Sequence, residues 1–439
     1  MKSSLRTLAA MAIAVSGVAT IVALPAGATA MHKKITCYEL TATALKTKKV
    51  ATKACPKGFS RVKPSLQGTN ISGDIDLKVP GTSTLSINGS SFDAPLVGVT
   101  TSGSTGYTAN GNVSFSAYPA AGSGSGRSGI ANGSLSIGFS DVPINAAAGT
   151  LPSGAVESNF AQVPYALGGA VVGYNLGAGF DNNVKLTASE IAQIYDGKIT
   201  LWSDPAIVAT NGGASSKVGK ALLSLATNNE ARDTIKVLYR NAGSGTTEAF
   251  TYYLYQAGNS GHAPNGGSPM EGNGGAWGAT NINGVANNAA MAQGLVNTLG
   301  SIGYVEYSYV LIPGNDAIQV AQLQDKNGQW LSPTLANIAN AAAAAGTSVS
   351  PSNFAITNEP GNNVWPLATY SWAIVPKAQT SLTTCEAITK YLDWESHYAQ
   401  NKYAAAEGYV PLPGPVQKYA RQQLQTITAN GTVCVNQKS

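Results

Sequence analysis

An α/β fold is the class the sequence predicts, and three observations predict it. From Gly81 onward, short β-like runs punctuated by Gly and Ser alternate with helical candidates. Glycine is abundant, at 49 of 439 residues, which suits turns and close backbone approaches better than a helical bundle. Hydrophobic residues make up 44% and charged ones 11%, enough to fill a large core and too little repulsion to hold a chain unfolded. The length allows two ordinary domains. With 27 Lys and Arg against 22 Asp and Glu, the basic excess is too thin for a nucleic-acid stripe, and three histidines leave little for a metal cluster.

Taken in order, the chain opens with Lys2 and Arg6 before an apolar stretch, Leu8 to Leu24, and the small-residue pattern Ala28-Thr29-Ala30. This reads as a signal peptide over residues 1–30, cleaved near Ala30, and predicts a secreted or cell-wall-associated protein. Its removal takes away two basic and no acidic residues, so 25 basic residues face 22 acidic ones. No cysteine ends the apolar run, so the reading expects no lipid anchor there. An oxidising destination predicts paired thiols, and spacing favours neighbours, Cys37 with Cys55 and Cys385 with Cys434; the two other connectivities stay open. Residues 31–80 form a separate module and linker, with nine basic residues between Lys33 and Lys63 on a segment too small to fold without a staple. Those charges are a solvated face, or else a contact for an anionic wall polymer.

Strands are predicted at Thr84–Asn88, Val113–Tyr118, Ser136–Ser140, Gly169–Tyr174, Lys236–Tyr239, Ser301–Tyr304 and Tyr370–Val375. Helices are predicted at Thr187–Tyr195, Thr247–Tyr255, Val285–Thr298, Leu335–Ala345, Cys385–Trp394 and Pro415–Ile427. Thr187 and Glu190 make a capping box, and Ala-rich 335–345 has high intrinsic propensity. The Gly/Asn/Pro-rich segment Ala257–Gly278 reads as a surface loop.

Three Gly/Ser/Thr loops carry the chemistry: Gly89-Ser90-Ser91-Phe92, Gly122 to Gly126, and Gly243-Ser244-Gly245-Thr246-Thr247, each between a strand-like and a helix-like run. Unpaired N–H groups at helix starts, hydroxyl donors and nearby Arg240 suit a tetrahedral oxyanion. Asp141 would repel that anion unless a proton lies between them, so its presence in the pocket selects phosphate over sulfate. Other motifs fail. Gly124, Gly126 and Gly129 match a dinucleotide fingerprint, but the eleven residues between Gly129 and Asp141 cannot hold a helix and a return strand. No P-loop or G-x-S-x-G stands anywhere, and His32, His262 and His397 are scattered and read as surface residues.

From about Thr84 to Ile427 the chain resembles the secreted phosphate-binding proteins of phosphate ABC transporters. The resemblance runs in order through SINGSSFDAP, AGSGSG, SIGFSDVP, VPYALGGAVVGYN, IAQIYDGKITLWSDPAI, YRNAGSGTTEAF, GSIGYVEYSYV, WPLATYSWAIV and EGYVPLP. It implies a two-lobed periplasmic-binding-protein fold of type II with a ligand cleft between the lobes, preceded here by the small disulfide-stapled β module. Lobe I would hold residues 81–168 and 369–439, and lobe II residues 169–368, with hinges near Gly168-Gly169 and Trp365–Tyr370. The family's ligand groups fall on Ser91, Phe92, Ser123, Asp141, Arg240, Ser244, Gly245 and Thr246. One position departs: many relatives carry an aspartate two residues after the arginine, where this chain has Ala242, with Asn241 beside it as a substitute.

The function expected is therefore non-enzymatic. Inorganic phosphate is bound by lobe closure and delivered to permease subunits of an ABC transporter, with no cofactor and no metal. The rival readings are a wall-associated phosphate-binding or adhesion protein and a secreted phosphatase using a loop serine.

Overall fold

The structure is a computed structural model that describes residues 35–40, 45–50, 79, 81–104, 106–146, 149–178, 180, 184–259, 277–346 and 349–434. The signal-peptide reading, Cys55, and most of the loop expected at Ala257–Gly278 lie outside these residues. The described part of the N-terminal module is an antiparallel pair, β1 (Ile35–Leu40) with β2 (Leu45–Val50).

The central sheet takes its strands from both halves of the chain. They are β4 (Ile87–Gly89), β6 (Ile137–Ser140), β7 (Phe160–Asn175), β8 (Lys236–Arg240), β9 (Ile282–Val285), β10 (Ser301–Glu306) and β14 (Ala368–Pro376), in the spatial order β4-β6-β14-β7-β10-β8-β9. Shorter pairs complete the set: β3 (Ser83–Leu85) with β5 (Val113–Phe115), β11 (Gln319–Val320) on β7, and β12 (Leu323–Gln324) with β13 (Trp330–Leu331). Strand β7 joins the halves. Its residues Phe160 to Gly169 pair with β14, and from Ala170 to Asn175 it pairs with β10. All sixteen of its side chains are buried, which explains why its sequence reads as one apolar run rather than an alternating one.

Each half packs helices on its part of the sheet over two cores, the larger of which runs on across β7 and β14. One core gathers Ile87, Phe92, Leu96, Phe139, Tyr165, Tyr391 and Leu392. The other gathers Ile191, Tyr195, Trp202, Leu222, Phe250, Leu295 and Tyr304. All six expected helices form, most with shifted ends: α4 (Ala188–Tyr195), α7 (Gly245–Gln256), α8 (Asn288–Asn297), α10 (Leu335–Ala345), α11 (Leu382–Asp393) and α13 (Gly414–Leu424). The capping box is present in full, with Glu190 N–H donating to Thr187 Oγ1 at 3.1 Å and Thr187 N–H donating to Glu190 Oε2 at 2.7 Å.

Four local expectations change. The run Thr84–Asn88 splits at Ser86 into β3 and β4, which serve different sheets. The expected helix Val285–Thr298 starts only at Asn288, because Val285 ends β9 and Asn287 caps the helix by accepting from Ala290 N–H at 2.8 Å. The Gly122–Gly126 loop is the start of α3 (Ser123–Ala131). Gly122 supplies the positive φ of +108° that turns the chain into the helix, and Gly126 supplies contact: a Cβ there would fall 2.2 Å from Phe139 O, so only glycine lets α3 lie this close to β6. Finally, His397 is buried, not on the surface. The widened helical segment Trp394–Ala399 turns it inward, with Nδ1 at 2.9 Å from Asp393 O and from Ser396 Oγ.

A disulfide joins Cys385 and Cys434 across 49 residues, with Cα atoms 5.7 Å apart. It pins the chain end to α11. Among the described residues no helix is long and apolar enough to cross a membrane, and no three His, Cys, Asp or Glu are grouped to hold a metal ion.

Candidate functional site

The three loops converge where the two halves meet. The turn after β4 carries Ser90 to Asp93 into α1 (Ala94–Thr100), and all four residues are buried. Beside it lies the start of α3, where Gly122 N–H donates to Gly89 O at 2.8 Å. Opposite, β8 ends at Arg240 and α7 begins after Ser244, whose Oγ accepts from Thr247 N–H at 3.2 Å. Contact across the halves is direct: Gly245 N–H donates to Ser123 Oγ at 3.3 Å. Gly245 leaves no room for more, since a Cβ there would sit 2.3 Å from Asp141 Cβ.

Asp141, 2% exposed, follows β6 and stands at the centre. Its Oδ1 accepts from Ser90 Oγ at 2.6 Å and lies 2.8 Å from Ser371 Oγ, and its Oδ2 is 3.3 Å from Ser123 Oγ. Burial raises its pKa to about 6, against the lowering by hydrogen bonds from Ser90 and Ser371 and by the charge of Arg240. Ser371 reaches this point at an irregularity, because the β7–β14 register shifts between Ser371 and Trp372.

Arg240 is 1% exposed. Its Nε and Nη2 donate to Ala286 O at 3.2 and 3.0 Å, so a backbone carbonyl after β9 orients the guanidinium. Burial lowers its pKa from the ordinary arginine value, opposed by the nearby Tyr304 and Asp141, and it remains a cation. Tyr304 also holds the strand end, its hydroxyl accepting from Arg240 N–H at 3.0 Å.

Asn288, fully buried at the start of α8, ties the halves together. Its N–H and its Nδ2 each donate to Ser91 Oγ at 3.0 Å, and Nδ2 also donates to Thr246 Oγ1 at 3.1 Å. Both hydroxyl oxygens therefore act as acceptors toward Asn288, which leaves their protons to point elsewhere. Three phenols pin the carbonyls of the first loop: Tyr118 on Ser90 O at 2.6 Å, Tyr309 on Ser91 O at 2.8 Å, and Tyr409 on Phe92 O.

The eight residues expected from the sequence thus lie together, with Phe92 the odd member: its N–H donates to Ser90 Oγ at 2.9 Å and its ring packs toward Tyr409. Sequence reasoning missed Ser90, Asp93, Asn288, Glu306, Tyr309 and Ser371. Ser90, Asp93, Glu306, Tyr309 and Ser371 sat within quoted motifs, whereas Asn288, at the start of α8, sat in none.

A family model for the PBP superfamily domain matches residues 76–394. The phosphate-binding protein PstS of Xylella fastidiosa (strain Temecula1) is 30% identical over 355 residues, covering 79% of this chain and 88% of that protein. PstS of Pasteurella multocida is 31% identical over 311 residues, covering 70% and 81%. Among solved structures, the periplasmic phosphate-binding protein PfluDING aligns with TM-score 0.58 at 18% identity, covering 80% of this chain and 96% of that one, so the two-lobed fold is shared. Fold, converging loops and sequence similarity over most of the chain agree: the protein belongs to the PstS family of phosphate-binding proteins within the PBP superfamily.

Proposed function

We propose that this chain binds inorganic phosphate between its lobes and delivers it to the permease of an ABC transporter outside the cytoplasm, with residues 1–30 as its export leader. The single observation that carries the reading is a buried carboxylate, Asp141, set among neutral donors from both halves and one buried cation, Arg240. Neutral donors bind any oxyanion, and the carboxylate selects one that brings a proton. Ser91, Ser123, Ser244 and Thr246 supply hydroxyls, Arg240 supplies the charge, and the Gly245 and Phe92 amides would exchange their bonds to Ser123 Oγ and Ser90 Oγ for the anion. Closure excludes water and strengthens every one of these bonds. The partner change on β7 at Gly169 and Ala170, with Ala368 alongside, supports the hinge placed there. Relatives named as phosphate-binding proteins support the ligand. A wall polymer as partner of residues 31–63 rests on the charge of that segment alone.

Calorimetry of the purified protein tests the reading. Phosphate binds at least about 100-fold tighter than sulfate, and Asp141→Asn, which supplies a donor, narrows that gap. Absence of phosphate binding overturns the function, and equal affinity of the wild type for both anions overturns the role of Asp141.

A further inference from the structure

The site holds two buried carboxyls, Asp93 and Glu306, beyond the one that a single-acid mechanism uses, and Asp93 is the one that shares a hydroxyl with Asp141. Asp93 directly precedes α1, makes no side-chain cap for it, and is fully buried. Its Oδ2 lies 2.6 Å from Ser371 Oγ, the same oxygen that lies 2.8 Å from Asp141 Oδ1. Its Oδ1 is buried, with no hydrogen-bond partner among the described residues.

Counting hydrogens settles what this arrangement needs. Ser371 has one hydroxyl proton and stands between two acid oxygens. It donates to one, and the other must then be protonated and donate to Ser371, or two lone pairs oppose each other in a dry site. The surroundings assign the proton. Asp141 has further hydroxyls from Ser90 and Ser123 and the charge of Arg240 to support an anion. Asp93 has none of these: the charged and titratable groups that act on it or feel it are Asp141, Glu306, Glu395, Tyr118, Tyr309, Tyr391 and Tyr409, with no cation among them. Burial first, then the charge of Asp141, pushes the Asp93 carboxyl well above the usual range.

Building on the phosphate reading above, we infer that Asp93 is a positioning residue that stays protonated and donates to Ser371, so that Ser371 donates to Asp141 and holds it as the carboxylate facing the anion. With Ser90 and Ser371 both directed at Oδ1, Oδ2 takes only the longer bond from Ser123 Oγ and keeps a second lone pair to accept the proton of the ligand. An Asp93 that gave up its proton would take the Ser371 hydroxyl for itself and set a second negative charge behind the first. The selectivity given to Asp141 thus depends on a neutral acid one hydroxyl away.

The test compares Asp93→Asn, Asp93→Ala and Asp141→Asn in the full chain. Infrared difference spectra of ligand-free protein at neutral pH read protonated carboxyls directly. The protonated C=O band is reduced by one group in D93N and unchanged in D141N. Loss of that band in D141N instead of D93N, or in neither, overturns the inference. In calorimetry, D93A weakens phosphate binding about 30-fold or more, and D93N, whose amide still donates to Ser371, recovers most of the loss. D93N no better than D93A also overturns it. A wild type that binds no phosphate removes the functional reading, while the infrared result still decides where the proton sits.

Discussion

Gly245→Ala isolates closure from folding. Gly245 opens α7 on one half and faces Asp141 on the other, and an added Cβ would meet Asp141 Cβ at 2.3 Å, Oδ2 at 2.7 Å and Cγ at 2.9 Å. Asp141 cannot easily retreat, because Ser90, Ser371 and Ser123 hold both its oxygens. One side or the other must shift by about an ångström. Overpacking of this kind costs roughly 1–3 kcal/mol, equivalent to about 5- to 150-fold in affinity for a ligand that needs the closed form. Alanine is otherwise acceptable in the first turn of a helix, so the open form carries no comparable penalty. The expected result is a phosphate Kd raised within that range by calorimetry, with the ligand-free Tm within about 2 °C of wild type. An unchanged Kd would mean that Asp141 and Gly245 do not approach in the bound state. A fall in ligand-free Tm by the full penalty would mean that the strain belongs to folding, and the argument from closure fails.

Two further predictions concern a residue that the site recruits from afar and a disulfide outside it. Asn288→Ala removes the tie between Ser91 and Thr246 and weakens phosphate binding about 10-fold, whereas Asn288→Asp weakens it about 100-fold, because a carboxylate would draw both hydroxyl protons to itself; equal effects of the two changes refute the donor assignment. Replacing both Cys385 and Cys434 by serine opens a 49-residue loop. The loop-entropy cost is about 4 kcal/mol and lowers Tm by roughly 5–10 °C, with phosphate affinity within about twofold; an unchanged Tm refutes a stabilising role for the staple.

Much of this was readable before any coordinates. Apolar periodicity and cap chemistry are local, so α4 with its Thr187–Glu190 box and α10 over Leu335–Ala345 could be placed from the residues themselves. The buried run Gly169–Tyr174 was recognisable as strand, though β7 extends back to Phe160, since a strand covered on both faces gives no alternation to mark its length. The Gly122–Gly126 segment was misread as a loop because Gly126 answers to the surface of β6 and Gly122 to the backbone of Gly243, partners that no local pattern reveals.

The order of motifs along the chain was enough to show the family and the α/β class and to propose eight polar and backbone groups, Asp141 and Arg240 among them, for the site. Those groups are short-range: glycine, hydroxyl and helix start sit within five residues of one another. Only the tertiary structure decided what holds them. Ala286 O on Arg240, Asn288 between Ser91 and Thr246, and Ser371 between Asp93 and Asp141 are joined by the crossing of β7 and β14 and by the meeting of the two halves. A hydrogen bond between residues more than two hundred positions apart, as from Ser371 to Asp141, leaves no trace in either neighbourhood, because its geometry exists only once the sheet has closed the distance.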